Sequence, residues 1–405
     1  MGIEIRPATP EEFGQLGELT SYAYAGQFGD GPENTVTESN RPEWSLCAFD
    51  GARLVSTYST IPFTMRANGN AVPMGGVSTV GTLPEYRRRG LMSRITLQAF
   101  ADMRERGQAV ASLWASQAAI YQRYGYGMVT VMRNYQVDIT DIDFHDGDGG
   151  ASEVERLGIA SGYDLVKRVY IEFIAQRMCY LHRGRPLWHN NAFEDIDAEG
   201  PVHIALSRDG DGVPDGYMVY TLRHDRHDHP SRSQEIRIRD LAWLTPSAYC
   251  SLWSFVKRHD LVGSVRWNNA PADDPALEFF LEPRLLNARD DEGMWLRIVD
   301  VPTALAGRGW DADGELTLSI AEDRIAPWNV GTWRLGVSGG TAEAGPAGGD
   351  ADIVLPVKAL ALLYAGRRSA RELAALGMLE GGPEALRRTD ALFATRHAPH
   401  CPDRF

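Results

Sequence analysis

Cysteine is scarce in this chain: four among 405 residues, at Cys47, Cys179, Cys250 and Cys401, with no Cys-x-x-Cys spacing. That scatter argues against a disulfide framework and against a structural zinc, so no metal is expected and a reducing compartment is the default. Long apolar runs are missing as well. None approaches the ~20 residues that a bilayer-spanning helix needs, so no membrane span is expected. The opening segment MGIEIRPATP has neither a charged n-region nor an apolar h-region, which predicts no signal peptide and a cytoplasmic protein. Cationic excess is also lacking. The net charge of -13 argues against nonspecific nucleic-acid binding, which needs a basic face, and suits the attraction of a cationic substrate.

What is present is enough chain for two or three domains, since 405 residues exceed one ordinary core. Ile3–Arg6 reads as a strand, and Thr9-Pro10-Glu11-Glu12 as a capping box that opens a helix towards Ala25. Residues 26–42 form a polar loop long enough to be functional. Leu46–Phe49 and Leu54–Met65 read as strands, with a hairpin at Asn68-Gly69-Asn70. The segment VSTVGTLPEYRRRGLMSR, Val77–Arg94, reads as a strand, a turn at Pro84, a basic-glycine loop and a helix to about Arg106. Val110–Trp114 is the next strand, Gln117–Arg123 a short helix, and Met128–Val137 the strand that closes this first module. The alternation predicts a mixed α/β sheet.

Residues 141–150 (DIDFHDGDGG) read as a linker. Beyond them, Glu235–Ala242 alternates like a strand, and Thr245-Pro246 opens a helix with Tyr249, Leu252, Trp253 and Val256 on one face. At that strand-to-helix junction stands LTPSA, with no arginine-glycine loop. A third unit starts near Gly293, with a strand at Met294–Val299, a helix from Val301-Pro302 to Gly307, and strands at Leu316–Ile320 and Thr332–Val337. A Gly/Ala/Glu loop over Gly339–Asp350 and helices at Val357–Tyr364 and Glu384–Phe393 complete it. Strands followed by helices predict a small α+β domain.

Two stretches carry candidate chemistry. Arg87-Arg88-Arg89-Gly90 places free backbone N–H groups at the positive end of a helix, where a pyrophosphate binds. Gly90 permits close approach and the arginines add charge. Ser116–Gly127, SQAAIYQRYGYG, follows the neighbouring strand and offers Tyr121, Tyr124 and Tyr126. Tyr126, between two glycines, is the best placed to protonate a departing thiolate, because phenol and thiol pKa values lie within about two units of each other. Packing between sheet and helix is the alternative. The run His224-Asp225-Arg226-His227-Asp228-His229 imitates a metal cluster, yet beside Pro230 it reads as a solvated hairpin tip.

The loop resembles the acyl-CoA signature R-x-x-G-x-G/A of GCN5-related N-acetyltransferases (GNAT), with Met92 where that family has Gly or Ala. Together with IYQRYGYG, WLRIVDVPTALAGRG at Trp295–Gly309 and a terminal phenylalanine, it is similar over the whole chain to the Eis-type (enhanced intracellular survival) enzymes, which acetylate aminoglycosides and other amines. The resemblance implies a mixed α/β (α+β) protein: a catalytic acetyltransferase module at 1–145, a second such module without a cofactor loop at 146–290, and a sterol-carrier-like domain at 291–405. It also implies acetyl-CoA as co-substrate, a homohexamer, Tyr126 as general acid and the terminal carboxylate of Phe405 as general base. Cofactor contacts then fall at Val80, Gly81, Thr82, Arg88, Arg89, Gly90, Leu91, Met92, Ser93, Tyr121 and Gln122. The acceptor is expected to be an amine of a polycationic molecule or a lysine. Asp30, Glu33, Glu38 and Trp44 are candidates to meet that cation, and the three acids are substitutes for the base. A noncatalytic binder of acyl-CoA, lipid or peptide is the rival reading.

Overall fold

The computed structural model describes residues 2–26, 41–145, 150–194, 200–224 and 231–405. The chain forms two units: Met1–Val129 with Met294–Arg396 and Phe405, and Thr130–Gly293 with His397–Arg404. Asp30, Glu33, Glu38 and most of the histidine run lie outside the described residues.

The first unit begins with β1 (Glu4–Arg6) and a 3-10 turn in which Glu12 Oε2 accepts from Thr9 N–H at 3.0 Å, as the capping-box spelling predicts. α1 (Phe13–Ala23) buries Phe13, Leu16 and Leu19. β2 (Cys47–Asp50), β3 (Arg53–Ala67) and β4 (Asn70–Thr82) form a meander, and Asn68 and Gly69 turn the last hairpin at φ of 52° and 102°. α2 (Leu91–Glu105) follows the basic loop, with Leu91, Ile95, Ala99 and Met103 buried at helical spacing. β5 (Val110–Leu113), α3 (Ala118–Gln122) and β6 (Gly127–Met128) complete this segment.

The second unit runs through β7 (Val131–Asp138), β8 (Glu153–Leu157), α4 (Ile159–Phe173), α5 (Arg185–Trp188), β9 (Val202–Arg208), β10 (Pro214–His224), β11 (Gln234–Trp243), α6 (Pro246–Lys257), β12 (Val262–Ala270), α7 (Ala276–Phe279) and β13 (Arg289–Glu292). Its sheet has the order β13-β7-β12-β11-β10-β9-β8. Among the described residues only its β11–β12 pair is parallel. Thr245 caps α6 by accepting from Ala248 N–H at 3.0 Å, and Tyr249, Leu252, Trp253 and Val256 are buried. The expectation that Met128–Val137 closes the first module is corrected here: β7 pairs with β12 and β13 in the second sheet.

The chain then returns to the first unit. β14 (Trp295–Ile298), expected to open the third unit, instead lies between β5 and β6 in a sheet ordered β1-β2-β3-β4-β5-β14-β6. All four of its residues are buried, the mark of a central strand. α8 (Val301–Gly307) follows, capped by Asp300, whose Oδ1 accepts from Thr303 N–H at 3.1 Å. β15 (Gly314–Ile320), β16 (Gly331–Ser338), β17 (Thr341–Pro346), β18 (Ile353–Val354), α9 (Val357–Tyr364), α10 (Ala370–Ala375), β19 (Glu380–Gly381) and α11 (Pro383–Phe393) make an α+β layer with sheet order β17-β16-β15-β18-β19. β17 occupies the stretch read as a loop. Gly339 and Gly340, at φ of 58° and 79°, supply a tight hairpin turn that lets a run of small residues pair as an edge.

Candidate functional site

In the first unit the parallel ladder between β4 and β5 is short. It pairs Met74, Gly75 and Gly76 with Val110, Ala111 and Ser112, while β4 alone continues to Thr82. A bulge against β3 between Thr57 and Ser59 goes with Thr79 at φ 49°, whose hydroxyl lies 2.6 Å from that of Ser59. Bulges re-aim a strand. Past the ladder opens a cleft of about 550 Å³, with Val80, Gly81 and Thr82 on one wall, Ser116, Gln117, Ile120 and Tyr124 on the other, and the basic loop at its end. Gly81 is needed because any Cβ there would come within 2.6 Å of Leu19 on α1.

The basic loop gathers backbone amides at the start of α2. Arg88 at φ 64° and Gly90 at φ 74° alternate with ordinary conformations, the backbone pattern that turns successive N–H groups inward. Gly90 is the N-cap of α2 and has no side-chain cap, and the first bond of this turn is Arg94 N–H to Gly90 O at 3.2 Å. The amides of Leu91, Met92 and Ser93 therefore precede the helical ladder and point at the cleft end with the helix dipole behind them. A Cβ at Gly90 would meet nothing within 4 Å, so the reason for glycine here is backbone conformation.

Among the expected contact residues, Val80, Gly81, Thr82, Arg88, Gly90, Leu91, Met92 and Ser93 line this cleft. Arg89, Tyr121 and Gln122 do not: the Arg89 guanidinium lies 4.9 Å from the Tyr86 ring centre, Tyr121 is buried, and Gln122 accepts from Lys358 Nζ at 2.7 Å. Tyr24 and Arg123 line it without having been anticipated, and Tyr24 donates to Val80 O at 2.9 Å.

Tyr126 is buried beside Tyr121 and Phe100, at ring distances of 6.0 and 6.2 Å. Its hydroxyl faces that of Tyr58. Burial raises its pKa, while neighbouring Tyr58 and the charge of Arg297 pull the other way. Arg297, on β14, is a neighbour of Tyr126 that sequence reasoning missed. It is fully buried, donates to Tyr124 O at 2.7 Å and bonds both Asp323 oxygens at 2.6 and 2.5 Å. A Cβ at Gly125, where φ is 82°, would stand 2.8 Å from Arg297 Nε and 2.7 Å from Val357 Cγ1. The first glycine of Gly-Tyr-Gly thus leaves room for an arginine 172 residues further along the chain, and the second, Gly127, for Leu362 and the Lys358 carbonyl at 3.2 Å. The only sequence signal for Arg297 was an arginine inside the apolar run WLRIV.

Phe405 belongs to the first unit. Its ring lies 4.8 Å from that of Phe63 on β3, and a Cβ at Gly76 would come within 2.9 Å of it. The glycine at the end of the ladder thereby leaves room for the last side chain. Among the described residues no group of three metal-binding side chains is found, and no helix is long and apolar enough to cross a membrane.

Comparison with known proteins gives this geometry a family. Residues 4–129 and 179–298 each match a family model described as an acetyltransferase (GNAT) domain, and residues 301–402 one described as a sterol carrier protein domain. An N-acetyltransferase of Streptomyces avermitilis is 30% identical over 379 residues, covering 92% of this chain and 91% of its own. The N-acetyltransferase Eis of Mycobacterium tuberculosis is 29% identical over 355 residues, with 85% and 84% covered. Among solved structures, a GCN5-related N-acetyltransferase of Anabaena variabilis superimposes over all of both chains at TM-score 0.87 and 24% identity, and Eis1 of Mycobacterium abscessus at 0.84 and 24%. With a half-open β4–β5 cleft, two acetyltransferase domains and relatives matched over most of their length, the chain belongs to the Eis-type GNAT acetyltransferases and is an N-acetyltransferase.

Proposed function

We propose that acetyl-CoA binds in the β4–β5 cleft and that its acetyl group passes directly to a primary amine of a polycationic small molecule or lysine side chain. The observation that carries this is the cleft itself: the Arg88–Gly90 backbone nest closes one end, and β4 at Val80–Thr82, past its ladder with β5, runs along the wall. A pyrophosphate on the nest lets pantetheine amides pair with that stretch, as a strand would. The amine attacks the thioester carbonyl, the C–S bond breaks, and CoA leaves as a thiolate. The carboxylate of Phe405 takes the ammonium proton, directly or through water, and Tyr126 gives its phenol proton to sulfur. Burial keeps Tyr126 protonated at neutral pH, and Arg297 offsets the cost of the phenolate left behind.

One observation favours a second acid. Tyr124 lines the cleft and its hydroxyl lies 3.2 Å from that of Ser93, whereas Tyr126 does not line it. The deciding experiment is thiol release from acetyl-CoA over a panel of amines, with Tyr126→Phe and Tyr124→Phe side by side. No turnover with any amine, in a protein that binds CoA, would favour the noncatalytic rival. The net charge of -13 supports a cationic acceptor.

A further inference from the structure

The second unit repeats the parallel strand pair, and the end of the chain lies along one side of its opening, a cavity of about 1100 Å³ lined by Asp240 and Leu241 of β11, Asn268 and Asn269 of β12, and His400, Pro402 and Arg404. β11 and β12 pair from Gln234 with Val262 as far as Ile238 with Trp267; beyond that, β11 runs on to Trp243 and β12 to Ala270 unpaired with each other. One residue of each unpaired stretch reaches the end of the chain. Asp240 of β11 is bonded by Arg183 at 2.5 Å, and Arg183 Nε donates to Asp403 at 2.7 Å. Asn269 of β12, at φ 69°, donates to the carbonyls of Cys401 and Pro402 at 3.2 and 3.3 Å. His400 N–H donates to Met178 O at 3.0 Å, and Arg404 exchanges two bonds with the Asn191 side chain at 2.7 and 3.2 Å. His400, Cys401 and Asp403 are all buried.

We propose that the second acetyltransferase-like module is a socket for the chain's own C-terminal peptide, His400–Arg404, with Arg183 as the residue that reads Asp403. The peptide bonds past the end of the parallel ladder, as the acyl-CoA arm is placed in the first unit, and it does so where no arginine-glycine loop remains. Phe405 follows Asp403 by two residues, so on the reading of its carboxylate as the base, a clamp on that aspartate confines it to within about 7 Å of a fixed point. Arg183 is then a positioning residue; this part of the inference rests on the reading of Phe405 as the base.

Hydrogen–deuterium exchange and kinetics on the full chain test it together. In Arg183→Gln, exchange at the amides of 400–404 should rise by about 100-fold, because a buried carboxylate loses its partner, while β4 and α2 stay protected. The turnover number should fall at least tenfold with CoA affinity unchanged, and Arg183→Lys should recover part of both. Unchanged tail exchange in a folded Arg183→Gln protein overturns the socket. Released tail amides with wild-type turnover uphold the socket and overturn the base reading instead. If Arg183→Gln does not fold, a chain ending at Ala398 is titrated with the hexapeptide of residues 400–405 (HCPDRF). Binding that is lost when its aspartate becomes asparagine supports the socket, and no binding refutes it. Restored turnover by the free acid but not by its C-terminal amide separately upholds the base.

Discussion

Two parallel strand pairs, β4–β5 and β11–β12, part in the same way and end differently. The first opens on a nest of backbone amides and a cleft of about 550 Å³; the second opens on Thr245-Pro246 and on a wider cavity of about 1100 Å³, one side of which is bonded to residues 400–404. A proline at the first helical position supplies no N–H for an anion, and Thr245 already satisfies Ala248 N–H. The lesson is that the shared sheet geometry makes a slot for an extended backbone. What enters it is decided by the few residues at the helix start and by the polar groups beyond the ladder.

The largest effect that would sharpen this contrast lies at the terminus. A short tag after Phe405 turns the carboxylate into an amide, and deletion of Phe405 shifts it by about 3.5 Å; both should abolish acetyl transfer while CoA binding by calorimetry persists. Wild-type rates in the tagged protein would break the comparison, since the docked tail would then serve no catalytic end. Next, Tyr126→Phe should lower the turnover number by about 10²–10⁴-fold with little change in CoA affinity. A drop of that size in Tyr124→Phe instead would move the acid to the cleft wall.

Arg297→Met leaves Asp323 buried with Asn329 and backbone amides only. Urea titration should show a loss of about 3–5 kcal/mol, and a midpoint equal to wild type would mean that the pair contributes nothing. Gly90→Asp forces an L-residue into a left-handed conformation, costing ~1–2 kcal/mol, and adds negative charge at the anion site. Its CoA affinity should fall at least about 30-fold by calorimetry, and an unchanged affinity would remove the nest from the cofactor site.

The smallest expected effect is a pH dependence of the docked tail. Burial pushes His400 down to about 3, from 6.5 when exposed. The released tail thus binds a proton that the docked tail refuses, so docking is complete above about pH 6.5 and weakens as pH falls towards 3. About 2 kcal/mol should be lost at pH 5, seen as faster exchange of residues 400–404, and His400→Asn should flatten that trend. The charged groups facing it are Asp273, Asp240 and Arg177, and the first two oppose the shift.

Local signals explain which features were legible beforehand. Thr9-Pro10-Glu11-Glu12, Asn68-Gly69 and Thr245-Pro246 are read within a few residues, and each forms the cap or turn that its spelling predicts. The basic loop was legible for the same reason, because a nest and a helix start are made by consecutive backbone groups. Strand membership was not. β7 and β14 were recognised as strands, but pairing partners up to 188 positions away along the chain chose their sheets. Tyr126 was found from its flanking glycines, whereas Arg297, the reason for Gly125, lay far along the sequence.

The sequence by itself determined the local grammar: where helices start, where hairpins turn, and that a basic-glycine loop leads into α2. Only the tertiary structure decided that β14 carries Arg297 to the back of Tyr126, and that Arg183 and Asn269 hold the last residues of the chain. The physical reason is range. Caps and nests are settled by neighbouring dihedrals, but a buried charge finds its partner only when the whole core has closed around it.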